Sequence, residues 1–365
     1  MSRVKNVPVG SHGSALQFRL SRFSSAYRSR LLAGLRDLQN FCEEHWEISL
    51  KQLLNHPKRA DTLLGKYVMH RHEEKRKGSF SIVKHALLGC QHTLPKLRSR
   101  LTTAWANLKV WEEQRVSRLR PPLPVAIWLF MVGLARAHSI DSKEVSQKSE
   151  WNQVALLLEV GLLCLLRPGE LFRLTVADMS LPGCFSLSQS QGAICIKAPK
   201  NRRQFGEQQH VPLNNPSTSA RLQDWIKGKA PEAPLWEGKP ARFSKLFKQL
   251  SSELGLGSCR FTPGSLRPGG ATLLFGQNTP INVLRFLGRW TAEKSLEHYI
   301  QQAMATQILN QLSTETTTRL CKLGPRLLSF VLHPNCRIEQ CRKLKIPSEA
   351  GVLTEWCINY AMSKR

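Results

Sequence analysis

Apolar positions recur at helical spacing through the first 140 residues. Leu31, Leu32, Leu35, Leu38 and Phe41 form one stripe, and further periodic segments at 57–75, 79–93, 95–113 and 122–137 predict a run of helices from Ala26 to about His138. A polar stretch at 138–152 carries no sustained stripe and reads as a linker, with the proline-rich 120–124 as a second candidate hinge. Beyond it, Asn152 to Leu165 predicts a buried helix. Residues 193–198 and 208–213 read as short strands separated by a basic turn, Lys200 to Gly206. Helical periodicity resumes at about 217–228, 241–255, 265–275, 280–287 and 292–305. The expected class is mainly α with a small antiparallel β-sheet (α+β).

The longest apolar runs, Val125 to Ala135 and Val154 to Leu166 (interrupted by Glu159), fall short of the ~18–20 residues of a membrane span. No membrane association is expected. The ten cysteines form no Cys-x-x-Cys pair, and His333, Cys336 and Cys341 match no common zinc spacing, so reduced thiols and no metal site are expected.

Charge changes the picture. The chain has 53 Lys and Arg against 26 Asp and Glu, a net charge of +27. Residues 1–150 carry +14 and 151–365 carry +13, so the excess belongs to both halves. A surface of this kind suits a polyanion, and double-stranded DNA is the leading partner. Residues 1–25 read as a basic arm. Seven Lys or Arg, seven Ser and no acid in residues 1–36 also fit an organelle transit peptide. Arg71, Lys75, Arg76 and Lys77 in the first half, with Arg202 and Arg203 in the second, are candidate DNA contacts.

No phosphate-binding GxxxxGK[ST] loop, HExxH, GxSxG or two-metal carboxylate cluster is present. Chemistry on DNA would then need protein cations for the phosphate oxygens, a side-chain nucleophile and an acid for the leaving oxygen, with no cofactor. Such residues occur in order: Arg167 after the buried helix, Lys200 in the basic turn, Arg267 opening a helix, Trp290 closing Leu-Gly-Arg-Trp, and Tyr299 nine residues later.

In these motifs residues 150–305 resemble the catalytic domain of tyrosine recombinases, the phage-integrase-like family, and in particular its divergent members from eukaryotic mobile elements. Arg167 and Glu170 in Leu-Arg-Pro-Gly-Glu-Leu match the first box, and Lys200 the hairpin lysine, with Lys197 the lesser choice. Arg267 before Gly270-Ala-Thr matches the second box, and Leu287-Gly-Arg-Trp290 the third. The resemblance implies a helical core-binding domain at 26–140, a catalytic domain at 150–310 and an unassigned extension at 311–365. It implies strand cleavage through a 3′-phosphotyrosine at Tyr299, with Arg167 and Arg267 clamping the phosphate. Lys200 would act as the acid and Trp290 as an indole donor. A homo-tetramer on DNA, integration of a mobile element and a nuclear or otherwise DNA-associated location are implied as well.

The chain departs from the family at two places. Gly264 stands where a histidine usually lies three residues before the second arginine, and Pro268 follows that arginine. His298 and Arg289 are candidates to compensate. Two alternatives stay open: a DNA-binding protein that keeps the fold without useful catalysis, and a type IB topoisomerase-like enzyme.

Overall fold

The computed structural model describes residues 13–74, 76, 78–115, 120–182, 192–197, 199 and 206–332. Lys75, Lys77, Lys200, Arg202 and Arg203, the first twelve residues of the expected arm, and the chain beyond Leu332 lie outside them. The described residues fall into two compact units, one ending at Arg115 and the other beginning at Arg120.

The first unit holds α1 (Gly13–Ser21), α2 (Ser25–Trp46), α3 (Leu50–Asn55), α4 (Pro57–Glu73), α5 (Ser79–Thr93) and α6 (Thr102–Gln114). Leu38, Phe41, Leu64, Tyr67, Val83, Leu87 and Leu108 form its core. At Gly34 a Cβ would stand 2.5 Å from the Ala86 nitrogen, so α2 and α5 pack backbone to backbone. Helix α6 lacks a capping side chain of its own. The carboxylate of Asp61, on α4, accepts from Thr103 N and Ala104 N, both at 3.0 Å. Burial alone would raise the Asp61 pKa, but these N–H donors hold it below its usual value. That cap ties two helices distant in sequence.

The second unit begins with α7 (Val125–Asp141), α8 (Val145–Leu163) and α9 (Pro168–Leu171). A sheet follows, β1 (Met179–Ser180), β2 (Gly192–Lys197) and β3 (Gln208–Leu213), and then α10 (Pro216–Ile226) and α11 (Pro240–Glu253). It ends with α12 (Leu266–Gly276), α13 (Ile281–Gly288), α14 (Glu293–Glu297), α15 (Gln302–Asn310) and α16 (Thr314–Leu332). The strands run in the order β1-β2-β3, antiparallel, with Met179 opposite Ile194 and Ile194 opposite Val211. The expected class is what is found, and both predicted strands lie within a residue of their expected bounds.

The division between units differs from the sequence expectation. The sequence pattern places α7 with the first half, yet it belongs to the second unit, and the polar stretch 138–152 is mostly helical. The cause is the apolar surface of α7, where Ile127 through Gly133 are all buried. A helix that is apolar all round needs neighbours on every side. Helix α8 supplies one, and α16 another: a Cβ at Gly133 would lie 2.2 Å from the Leu327 carbonyl oxygen. Leu320, Leu327, Leu328 and Val331 of α16 join the main core, so the expected extension is integral to this unit at least to Leu332.

Glu159, which interrupts an apolar run, is a core ion partner. Its carboxylate takes Arg136 Nη2 at 2.9 Å and Arg221 Nη2 at 2.6 Å. Among the described residues no helix is long and apolar enough to cross a membrane.

Candidate functional site

The site is assembled from three helix ends around a small satellite core of Leu165, Ala271, Leu284, Trp290 and Leu296. The first is the end of α8. Leu165 adopts a left-handed conformation, φ 50°, and Leu166 N donates back to Gly161 O at 3.1 Å. A left-handed leucine costs about 1–2 kcal/mol. It turns the Leu165 carbonyl toward two guanidinium groups and delivers Arg167 to the start of α9. There Pro168 takes the first helical position and the Glu170 carboxylate accepts Arg167 N at 3.0 Å. Arg167 Nη1 donates to the other carboxylate oxygen at 2.7 Å.

The second end is the first turn of α12. Arg267 is 2% exposed. It donates through Nη1 to Leu165 O and through Nη2 to Gly288 O, bracing the chain just past α8 against the last residue of α13. Two glycines allow this approach. A Cβ at Gly270 would stand 2.2 Å from Leu162 O, and one at Gly269 would stand 2.4 Å from Leu123 O. Both opposing atoms are backbone. Gly270→Ala is therefore expected to pry α12 from α8 at a cost of about 1–3 kcal/mol, read as a lower melting temperature. An unchanged melting temperature would mean that the close approach does not matter.

The third end is the Leu-Gly-Arg-Trp turn. Arg289 closes α13 in a left-handed conformation, φ 57°. Trp290 folds back over Gly288, where a Cβ would meet its ring at 1.6 Å, so only glycine fits. The Arg267 guanidinium carbon lies 4.3 Å from the Trp290 ring centroid and 5.4 Å from that of Tyr299. The Trp290 and Tyr299 rings are 5.1 Å apart. Tyr299 is half-buried, and its backbone carbonyl accepts from Thr272 Oγ1 at 3.2 Å. The same hydroxyl accepts Gln301 N at 3.1 Å. Thr272 thus fastens the tyrosine segment to α12, a role with no signal in the sequence.

Electrostatically the cluster is overcharged with cations. Arg289 Nη2 reaches Glu170 at 3.0 Å and Leu165 O at 3.1 Å. Glu170 is the acid shared by Arg167 and Arg289. Burial pushes its pKa up, but Arg289, the Arg167 N–H and the Arg167 guanidinium outweigh that and hold it below the usual carboxylate value. Burial and the charges of Arg167 and Arg289 push the Arg267 pKa down. Arg267 Nε and Trp290 Nε1 are buried and find no acceptor among the described residues. A cation-rich cluster with unused N–H donors beside a phenol suits an oxyanion.

Arg167, Glu170, Arg267, Arg289, Trp290 and Tyr299 are thus brought together. His298 is exposed and ends α14. Lys197 is paired with Asp178 Oδ1 at 2.7 Å. In the first unit Arg71, expected to contact DNA, is held by Asp37 at 3.2 Å and Glu74 at 2.7 Å, so its charge is largely matched internally. Arg76 is exposed. Among the described residues no group of three or more His, Cys, Asp or Glu side chains is placed to hold a metal ion.

These elements compose the tyrosine recombinase fold. The chain is similar to XerH site-specific recombinase bound to palindromic difH substrate in a post-cleavage complex, with a TM-score of 0.50 and 14% identity. That alignment covers 82% of this chain and 93% of that one. XerH in a pre-cleavage complex with difH has a TM-score of 0.42 at 13% identity, covering 80% of this chain and 92% of that one. XerA recombinase has a TM-score of 0.37 at 12% identity, covering 86% and 99%. No protein-family model matches the sequence, and no curated protein sequence is similar to it.

Proposed function

We propose that this chain cleaves and rejoins DNA strands through a 3′-phosphotyrosine formed on Tyr299. The observation that carries the reading is the placement of the Tyr299 ring 5.4 Å from the buried Arg267 guanidinium, close to the carboxylate shared by Arg167 and Arg289. The Tyr299 oxygen attacks the scissile phosphorus, and the bond from phosphorus to the 5′-oxygen breaks. Arg167 and Arg267 carry the charge that builds on the non-bridging oxygens, and the Trp290 indole N–H donates to one of them. Glu170 and Arg289 keep Arg167 and the Leu165 turn in place. Lys200, which lies between β2 and β3 in the sequence, protonates the leaving 5′-oxygen. Attack by another 5′-hydroxyl reverses the step, so no nucleotide cofactor is consumed.

In this reading both units bind double-stranded DNA, and Arg76, Lys75, Lys77, Arg202 and Arg203 contact its backbone. Four copies act around two duplexes, as integration of a mobile element in a DNA-containing compartment would need. One observation favours the binding-only alternative: both terminal nitrogens of Arg267 are taken by backbone carbonyls.

Trapping on nicked duplexes, which lose the 5′-hydroxyl needed for religation, separates the two. The full chain is expected to form an SDS-stable protein–DNA adduct that Tyr299→Phe abolishes. Salt-sensitive DNA binding with no adduct would leave a binding protein of recombinase fold.

A further inference from the structure

Gly264 makes room for a side chain that arrives from elsewhere in the second unit. A Cβ built on Gly264 would stand 2.6 Å from Arg120 Nη1, 3.2 Å from its Cδ and 3.3 Å from its Cζ. The guanidinium of Arg120 therefore fills the space into which a residue at 264 would grow.

The position matters because of what lies next to it. Gly264 sits in a 3-10 turn, Pro263–Ser265, that runs directly into α12. Arg267 is three residues on. In such a run residues three apart share a face, with about 5–6 Å between their Cβ positions. The Arg120 guanidinium therefore lies against the turn that delivers Arg267.

The backbone around Arg120 is anchored. Leu123 N donates to Ser265 O at 3.1 Å, and Leu123 O lies against Gly269. Pro121 and Pro122 follow Arg120, which restricts the backbone of all three residues. The side chain is exposed, and no carboxylate or other hydrogen-bond partner holds it among the described residues. A guanidinium with its donors uncommitted, lying against the turn that leads into Arg267, suits an anion and repels another cation.

We propose that Arg120 is a phosphate-contacting residue of this site, supplying from the 120–124 segment the donor that Gly264 lacks. This rests on the strand-cleavage reading above. Gly264 leaves the space, and Arg120 fills it.

The test uses the full chain and the nicked duplexes, with adduct formation timed and binding to uncleaved duplex measured across a salt series. Arg120→Ala is expected to slow adduct formation by about 10²-fold, the size of losing one oxyanion donor. Binding should weaken only as one phosphate contact requires, with the salt slope falling by about one. Arg120 is exposed, so its removal should leave the melting temperature unchanged.

Adduct formation by Arg120→Ala at the parent rate overturns the assignment while leaving the strand-cleavage reading intact. So does a rate loss that saturating protein restores in full, because Arg120 would then be an ordinary surface contact. An adduct absent from the parent chain, or retained in Tyr299→Phe, overturns the cleavage reading and this assignment with it.

Discussion

Glu170→Gln is expected to destabilise the second unit by about 3–5 kcal/mol, the range for removing one partner of a buried ion pair. Glu170 is 3% exposed, and its oxygens take Arg167 N, Arg167 Nη1 and Arg289 Nη2. Glutamine has nearly the same shape, but its amide N–H groups would face guanidinium N–H groups. The cations would also lose their shared counter-charge. The pH dependence has a definite sign. The folded carboxyl titrates below its ordinary value, so between the two values the unfolded chain binds more protons. The stabilisation is full above the ordinary glutamate range of about 4.3–4.5 and is lost as pH falls through the depressed folded value. The gap in melting temperature between parent and variant should therefore be widest near neutral pH and shrink below about pH 4. A gap that persists unchanged to pH 3 would mean that the charge of Glu170 is not what holds the turn.

Arg267→Lys is expected to lower both stability and reaction rate. An ammonium cannot reproduce the planar fork that spans Leu165 O and Gly288 O. Leu165 O keeps its bond from Arg289, but Gly288 O loses its donor, at about 1–3 kcal/mol for an unsatisfied buried group. Adduct formation should fall by about 10²–10³-fold, and the melting temperature should fall with it. The two readouts separate bracing from chemistry. A lower melting temperature with an undiminished rate below it would make Arg267 a structural brace alone.

Much of this site was legible because its motifs are local. Arg-Pro-Gly-Glu encodes a helix start: proline fits the first position, and glutamate three residues past the cap can reach back to it. Gly-Arg-Trp encodes a turn. The strands at 193–198 and 208–213 show in their alternation: Ile194, opposite Val211, and Ile196, opposite Gln209, both face the core. What failed to show depends on residues far apart in the chain. Arg71 reads as a free cation in a basic run, yet Asp37, 34 residues earlier, engages it. The 138–152 stretch reads as a linker because polar residues are counted there without sight of the surfaces that α7 and α8 bury beside it. Arg120 gives no local sign of a place beside Gly264.

The sequence by itself determined the fold class and most of the order of the elements, and offered the candidate arginines and tyrosine, because helical period, strand alternation and cap chemistry act within a few residues. Only the tertiary structure decided which cations remain available to a phosphate. That depends on which carboxylates and carbonyls the packing brings within 3–4 Å of each guanidinium, and on where a glycine leaves space for a side chain from another segment.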